Sequence, residues 1–185
     1  MAQLFSRAAS VRLNLTLLIV LVVLPAAGCV VWWLLYHSPL RTRRGVEIEQ
    51  PIPFSHKHHA GELGIDCRYC HDAVERSAFA GIPSVHTCMS CHSQVWKTAA
   101  MLEPVRAAAR TGIVLPWLRV NDLPAYTYFD HSAHVNHGIG CAKCHGRIER
   151  MEVVAPVVTF DMRWCVDCHR RYARKHLTDC ATCHR

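Results

Sequence analysis

Phe129-Asp130-His131-Ser132-Ala133-His134, continued by Gly138-Ile139-Gly140-Cys141-Ala142-Lys143-Cys144-His145, decides how this chain is organised, because it has a near copy upstream. Phe54-Ser55-His56-Lys57-His58-His59 keeps the same Phe-x-His-x-x-His spacing, Gly64-Ile65-Asp66-Cys67 matches Gly138 to Cys141, and His71 to Arg76 repeats as His145 to Arg150. Each copy runs on to a second Cys-x-x-Cys-His. Two structural units of about forty residues, 54–92 and 129–169, follow from this repetition.

Eleven cysteines and fourteen histidines among 185 residues exceed ordinary usage by a wide margin. Ten cysteines pair as Cys67 and Cys70, Cys88 and Cys91, Cys141 and Cys144, Cys165 and Cys168, and Cys180 and Cys183. Histidine follows each pair at once: His71, His92, His145, His169 and His184. Chance would produce this with a probability on the order of 10⁻⁶ at a histidine frequency of roughly 0.08, so the pattern has a chemical cause.

Cys-x-x-Cys-His is the attachment signature of haem c. Its spacing brings two thiols to the two vinyl groups on one porphyrin edge and sets the next imidazole under the iron as proximal ligand. The ten cysteines therefore predict five c-type haems held by thioether bonds, with His71, His92, His145, His169 and His184 proximal. At roughly 30 residues per haem outside the apolar N-terminus there is too little chain for five separate pockets, so the haems form much of the core. Closely packed redox centres make a path for electrons.

Six-coordinate iron needs distal ligands as well. The repeat selects His56, His59, His131 and His134, whose spacing of three lets two imidazoles leave one helical turn on the same side. For the fifth iron, Met162 is the first candidate, since methionine ligates many cytochromes c and raises their potential, with His176 next. His37, His58, His86 and His137 read as ordinary polar histidines. Zinc ribbons fit the gaps between pairs but leave the trailing histidines and the fifth pair unexplained. Disulfides and iron-sulfur clusters share that failing.

Residues 1–14 carry Arg7 and Arg12 without an acid, and 15–36 form an uncharged run that as a helix reaches roughly 33 Å, enough to cross a bilayer. A cleaved signal has a shorter apolar region, so 15–36 is read as a transmembrane signal anchor. Ala26-Ala27-Gly28-Cys29 bears a loose likeness to a lipoprotein cleavage site, but the apolar Val30 to Tyr36 behind it would make an odd mature terminus. Arg41, Arg43 and Arg44 oppose an exported C-terminal side by charge counting. Haem attachment outside the cytoplasm outweighs them and puts the haem domain on the periplasmic side of a bacterial inner membrane. Pro25 and Gly28 are expected to kink the helix.

Pro39, Pro51 and Pro53 mark 37–53 as an extended neck standing off the membrane. Within the linker 93–128, Ser93 to Arg110 has helical composition, with Ser93 as N-cap, Gly112 as stop and Pro104 bending or dividing it. Residues 113–128 read as an extended crossover, and 170–185 as the segment carrying the fifth haem motif. The fold class is mainly α and irregular: one transmembrane helix, then a compact multihaem domain. The formal charge of +7 suggests nucleic acid, but ten propionates turn it into about −3 with ferrous iron and about +2 with ferric, so no nucleic-acid partner is expected.

Gln50-Pro-Ile-Pro-Phe54-Ser-His-Lys57, His59 to His71, Phe79-Ala-Gly-Ile-Pro83, Cys88-Met-Ser-Cys-His-Ser-Gln-Val-Trp96, Phe129-Asp-His-Ser132 and Trp164-Cys-Val-Asp-Cys-His-Arg170 closely resemble the pentahaem cytochrome c subunit of alternative complex III. The likeness spans roughly 50–185, and a more distant one reaches the class III cytochromes of the c3 and c7 kind. The resemblance implies a class III-like haem domain and a place in a quinol-oxidising membrane complex. Its partners there would be polytopic quinol-binding subunits, an iron-sulfur subunit and a monohaem cytochrome c, with a soluble cytochrome or terminal oxidase as acceptor. Met162 falls where that family often has methionine before Trp-Cys. On this reading the chain is an electron-transfer subunit, not catalytic on its own. The alternative is an anchored multihaem quinol dehydrogenase feeding a periplasmic reductase. A multihaem reductase of a small substrate is disfavoured, because all five motifs end in histidine and none leaves an open iron.

Overall fold

The computed structural model describes residues 6–172 and 175–184, without the side chains of Lys175 and His176, and the chain divides into two compact units, Met1–Arg43 and Arg44–Arg185. Among the described residues there is no strand.

The first unit is one long helix, Arg7–His37, and a short one. Helix α1 (Arg7–Leu18) starts at Ser6, whose hydroxyl accepts from the Ala9 N–H, and passes through a π-helical turn, Ile19–Val23, into α2 (Leu24–His37). The wide turn has a local cause. Pro25 has no N–H for the carbonyl four residues back and its ring crowds that carbonyl, so the ladder opens by one residue just before it. Arg7–His37 is long and apolar enough to cross a membrane, and its apolar side chains are exposed. Beyond it, α3 (Pro39–Thr42) ends at Arg43 in the left-handed region (φ 53°). The Arg41 guanidinium lies 4.3 Å over the Tyr36 ring.

In the second unit the short helices mostly carry the motifs: α4 (Cys67–Cys70), α5 (Val85–His92), α6 (Glu103–Thr111), α7 (His131–Val135), α8 (Ala142–His145), α9 (Met162–Arg171) and α10 (Cys180–Cys183). Carboxylates start several of them. Asp66 accepts from the Arg68 N–H, Asp130 from the N–H groups of Ser132 and Ala133, and Asp161 from that of Trp164. The chain's own core is small: Ile52, Leu102 and Val105 cluster against Val85, Cys88, Met89, Leu115 and Trp117.

Two expectations change here. The helix read from Ser93 begins instead at Glu103, and Ser93 closes α5. Pro104 sits in the first turn of α6, where a missing N–H costs nothing, and Gly112 ends the helix at φ 73° with its N–H on the Ala108 carbonyl. Nor does the neck stand free from Gly45 onward. Gly45 and Ile48 donate to the carbonyls of Pro156 and Val154, and the Gln50 amide makes a two-way bond with the backbone of Leu118.

The repeated halves grip each other reciprocally. Lys57 N–H donates to the Met151 carbonyl (2.9 Å), and its counterpart Ser132 N–H donates to the Ser77 carbonyl (3.2 Å). At the next equivalent place a Cβ on Gly61 would run into the Glu149 carbonyl oxygen, while Asn136 reaches the Glu75 carbonyl with its side-chain amide. The segment after each first motif thus floors the other half's histidine pair, as a pseudo-twofold axis would have it.

Candidate haem-binding centre

The histidines of the Phe-x-His-x-x-His segments meet those of the Cys-x-x-Cys-His motifs ring to ring. His59 and His92 have ring centroids 6.1 Å apart, His131 and His145 6.3 Å, and His134 and His169 6.1 Å. Two metal–imidazole bonds of about 2 Å, plus ~1.1 Å from nitrogen to ring centre on each side, require about 6.2 Å. The rings therefore stand at the separation of two axial ligands on one iron.

Local hydrogen bonds set their tautomers. Nδ1 of His59 donates to the Ser55 carbonyl and Nδ1 of His134 to that of Asp130, the same bond in both halves. Nδ1 of His131 donates to Ala78 O, His92 to Val95 O, His169 to Leu177 O, His71 to Gly81 O and His184 to Tyr126 O. With the proton on Nδ1, each Nε2 keeps its lone pair, which is the form a metal takes. Phe54 and Phe129 stack on His59 and His134 with centroids 4.4 and 4.5 Å apart and meet His56 and His131 edge-on. That is a physical reason for phenylalanine at the head of each segment.

Burial, then the neighbouring His71 and His59, push the pKa of His56 down to about 4, and burial, then His131 and His71, lower that of His145. Both rings stay neutral and able to ligate. The Nδ1 of His56 is buried without a hydrogen-bond partner.

Cysteines of different motifs lie close to one another. Burial raises the pKa of Cys67, and Cys141, its pseudo-twofold counterpart, raises it further. Cys70 is raised by burial and then by Cys88 and Cys91, Cys144 by burial and then by Cys168, and Cys165 by burial and then by Cys183. The cysteine pairs thus adjoin one another in the order second, first, third, fourth and fifth motif, and Tyr128 N–H on the Cys183 carbonyl holds the fifth to the crossover. Among the described residues no three or more His, Cys, Asp or Glu side chains converge as on a bare metal ion, which does not suit a zinc ribbon. Facing imidazole pairs beside thiol pairs do suit haem c.

Met162 opens α9, 70% exposed, and the ring beside His184 is Tyr126, at 6.0 Å. The side chain of His176 lies outside the described residues. Among the other histidines, His58 bonds Glu62 and stacks on Trp96, His137 donates to Ala133 O, His86 is exposed, and His37 lies against Trp33 and Tyr36 in the N-terminal unit. One side chain that spacing could not reveal is Asn121, whose amide lies 3.1 Å from Nδ1 of His145. It sits in the irregular crossover, where no periodicity points to it.

Comparison with known proteins agrees with this geometry. The family described as cytochrome c7 and related cytochrome c matches residues 127–185, and the class III cytochrome C family matches residues 36–107. The chain is also 39% identical over 105 residues to the "Menaquinone reductase, multiheme cytochrome c subunit" of Nitratidesulfovibrio vulgaris, covering 55% of this chain and 48% of that protein, so it spans about half the length of that relative. In its mainly helical architecture and its c-type haem signatures alike, the chain is similar to the class III and c7 multihaem cytochromes c, proteins of electron transfer.

Proposed function

We propose that the chain is the membrane-anchored pentahaem cytochrome c subunit of a quinone-linked respiratory complex of the alternative complex III kind. It carries electrons from quinol-oxidising and iron-sulfur subunits to a periplasmic cytochrome c or terminal oxidase. The observation that carries this reading is the set of facing imidazoles at 6.1–6.3 Å beside a succession of adjoining thiol pairs. Haem iron supplies reversible one-electron exchange; the chain supplies ligands, spacing and electrostatics.

In this reading one haem iron each would be held by His59 with His92, His131 with His145 and His134 with His169, and a fourth by His56 with His71. Met162 completes the fifth site with His184: it precedes Cys165 by about one helical turn, and Cys165 adjoins Cys183. The ten motif cysteines fix the porphyrin edges. The haems that these residues would hold would exchange electrons in series, with the second and fifth motifs at the ends, and Arg7–His37 is the anchor.

The relative's name, that of a menaquinone reductase, favours a second direction, in which electrons run toward menaquinone. One experiment separates the two. The complex is purified from membranes, its subunits and haem mass are determined, and it is mixed in turn with quinol and with reduced periplasmic cytochrome. Haem reduction by quinol that requires the partner subunits supports the first direction, and reduction only by the cytochrome, with quinone as acceptor, supports the second. A lone chain reduced by quinol would overturn both in favour of an anchored quinol dehydrogenase.

A further inference from the structure

His71 and His145 are pseudo-twofold counterparts, yet their Nδ1 atoms have different partners. His71 donates to a main-chain carbonyl, that of Gly81 (2.7 Å). His145 meets the side-chain amide of Asn121 (3.1 Å). Every other ring in the three facing pairs donates to main chain.

The nearer atom of the amide is Nδ2, which would set two donors against each other if His145 carries its proton on Nδ1. His145 must carry it there if its Nε2 serves a metal opposite His131, with the two planes only 5° apart. The amide's nitrogen and oxygen are interchangeable by a half-turn, so with His145 protonated on Nδ1 and ligating through Nε2 the amide would turn Oδ1 to the ring. Asn121 is held for the task. Arg119 and Asp122 pair across it at 2.9 Å, and the two-way bond between Gln50 and Leu118 anchors the chain just before.

We propose that Asn121 is a positioning residue that sets the reduction potential of the haem attached at Cys141 and Cys144, by accepting a hydrogen bond from Nδ1 of its proximal ligand His145. The inference rests on His145 being an iron ligand, as read above. An acceptor on Nδ1 moves electron density toward Nε2, makes the imidazole a stronger donor, and favours ferric over ferrous iron. A main-chain carbonyl survives substitution of its residue. A side-chain acceptor does not, so this haem's potential can be reset by one replacement at a half-exposed loop position.

The test uses the full chain with its haems, as wild type, Asn121→Leu and Asn121→Asp. Peptide mass mapping first establishes haem at Cys141 and Cys144; its absence from the wild type would overturn the haem reading and this inference with it. With haem in place, a spectroscopic redox titration should show one component moving to higher potential in the Leu variant and to lower potential in the Asp variant, the others staying put. Opposed shifts are the signature of acceptor strength, which mere structural damage does not produce. No shift in either variant, or shifts in the same direction, would overturn the role of Asn121 and leave the haem assignment standing.

Discussion

His131 and His145 face each other almost in parallel, 6.3 Å between centroids and 5° between planes, whereas the planes of His59 and His92 cross at 67°. The contrast bears on electronic structure. Parallel imidazoles push their π electrons into one iron d orbital and separate it from its partner, while crossed planes act on both orbitals and leave them nearly degenerate.

Oxidised protein should therefore show two families of low-spin EPR signal. The pairs at 5° and 24°, His131 with His145 and His134 with His169, should give rhombic spectra, and His59 with His92 a strongly anisotropic one. His59→Ala should remove the anisotropic signal and create high-spin iron, and His131→Ala should remove a rhombic one. An unchanged low-spin spectrum in either variant would refute that ligand assignment.

A Cβ on Gly61, in the segment that carries His59, would meet the Glu149 carbonyl of the other half. Gly61→Ala must push this segment away from the opposite half, costing about 1–3 kcal/mol. We expect a partly high-spin spectrum with haem content unchanged. A spectrum identical to wild type would mean that the halves do not depend on this approach.

The small apolar cluster is the part of the domain that side chains alone hold together. Leu102→Ala should lower the free energy of unfolding by roughly 2–4 kcal/mol in denaturant titration, with the haem spectrum of the native state retained. A change under 1 kcal/mol, about what a surface substitution costs, would mean the cluster is not structural.

Arg110 first, then Arg106, hold the Glu103 carboxyl below its ordinary range. A depressed folded pKa contributes stability that is present above the unfolded value of 4.5 and is lost as pH falls through the folded value. Glu103→Gln should therefore be less stable than wild type at neutral pH, and the gap should close on acidification. Unfolding curves across that range check the sign; a gap that stays constant with pH would argue against the ion pairs.

Much of the site was legible because haem c imposes fixed spacing on the chain. The repeat placed His59, His131 and His134 among the rings that pair. It also left a puzzle: Ala60, Gly61, Glu62 and Leu63 separate His59 from Gly64, but only Val135, Asn136 and His137 separate His134 from Gly138. The structure absorbs the extra residue as a π-helical turn, Lys57–Glu62, where the second half has the α-helical α7. Both turns then close with the same bond, Ile65 N–H to the His59 carbonyl and Ile139 N–H to the His134 carbonyl, each 3.1 Å. Helix α6 was less legible. Alanines and arginines favour a helix from Ser93, but the glycine-free run Val95 to Thr98 turns at Trp96 (φ 53°), so packing overrides composition there. Asn121 left no trace in the sequence, because its role depends on where an irregular segment passes.

The reciprocal bonds from Lys57 to Met151 and from Ser132 to Ser77 have the topology of an exchanged dimer joined into one chain. Neither half is self-sufficient, because each lends the other the surface under its paired histidines. Duplication followed by fusion gives such a pair what a true homodimer cannot have. The halves can diverge residue by residue, so that under the proposed reading matching irons would keep the same ligand types yet settle at unequal potentials and give current through the molecule a preferred slope.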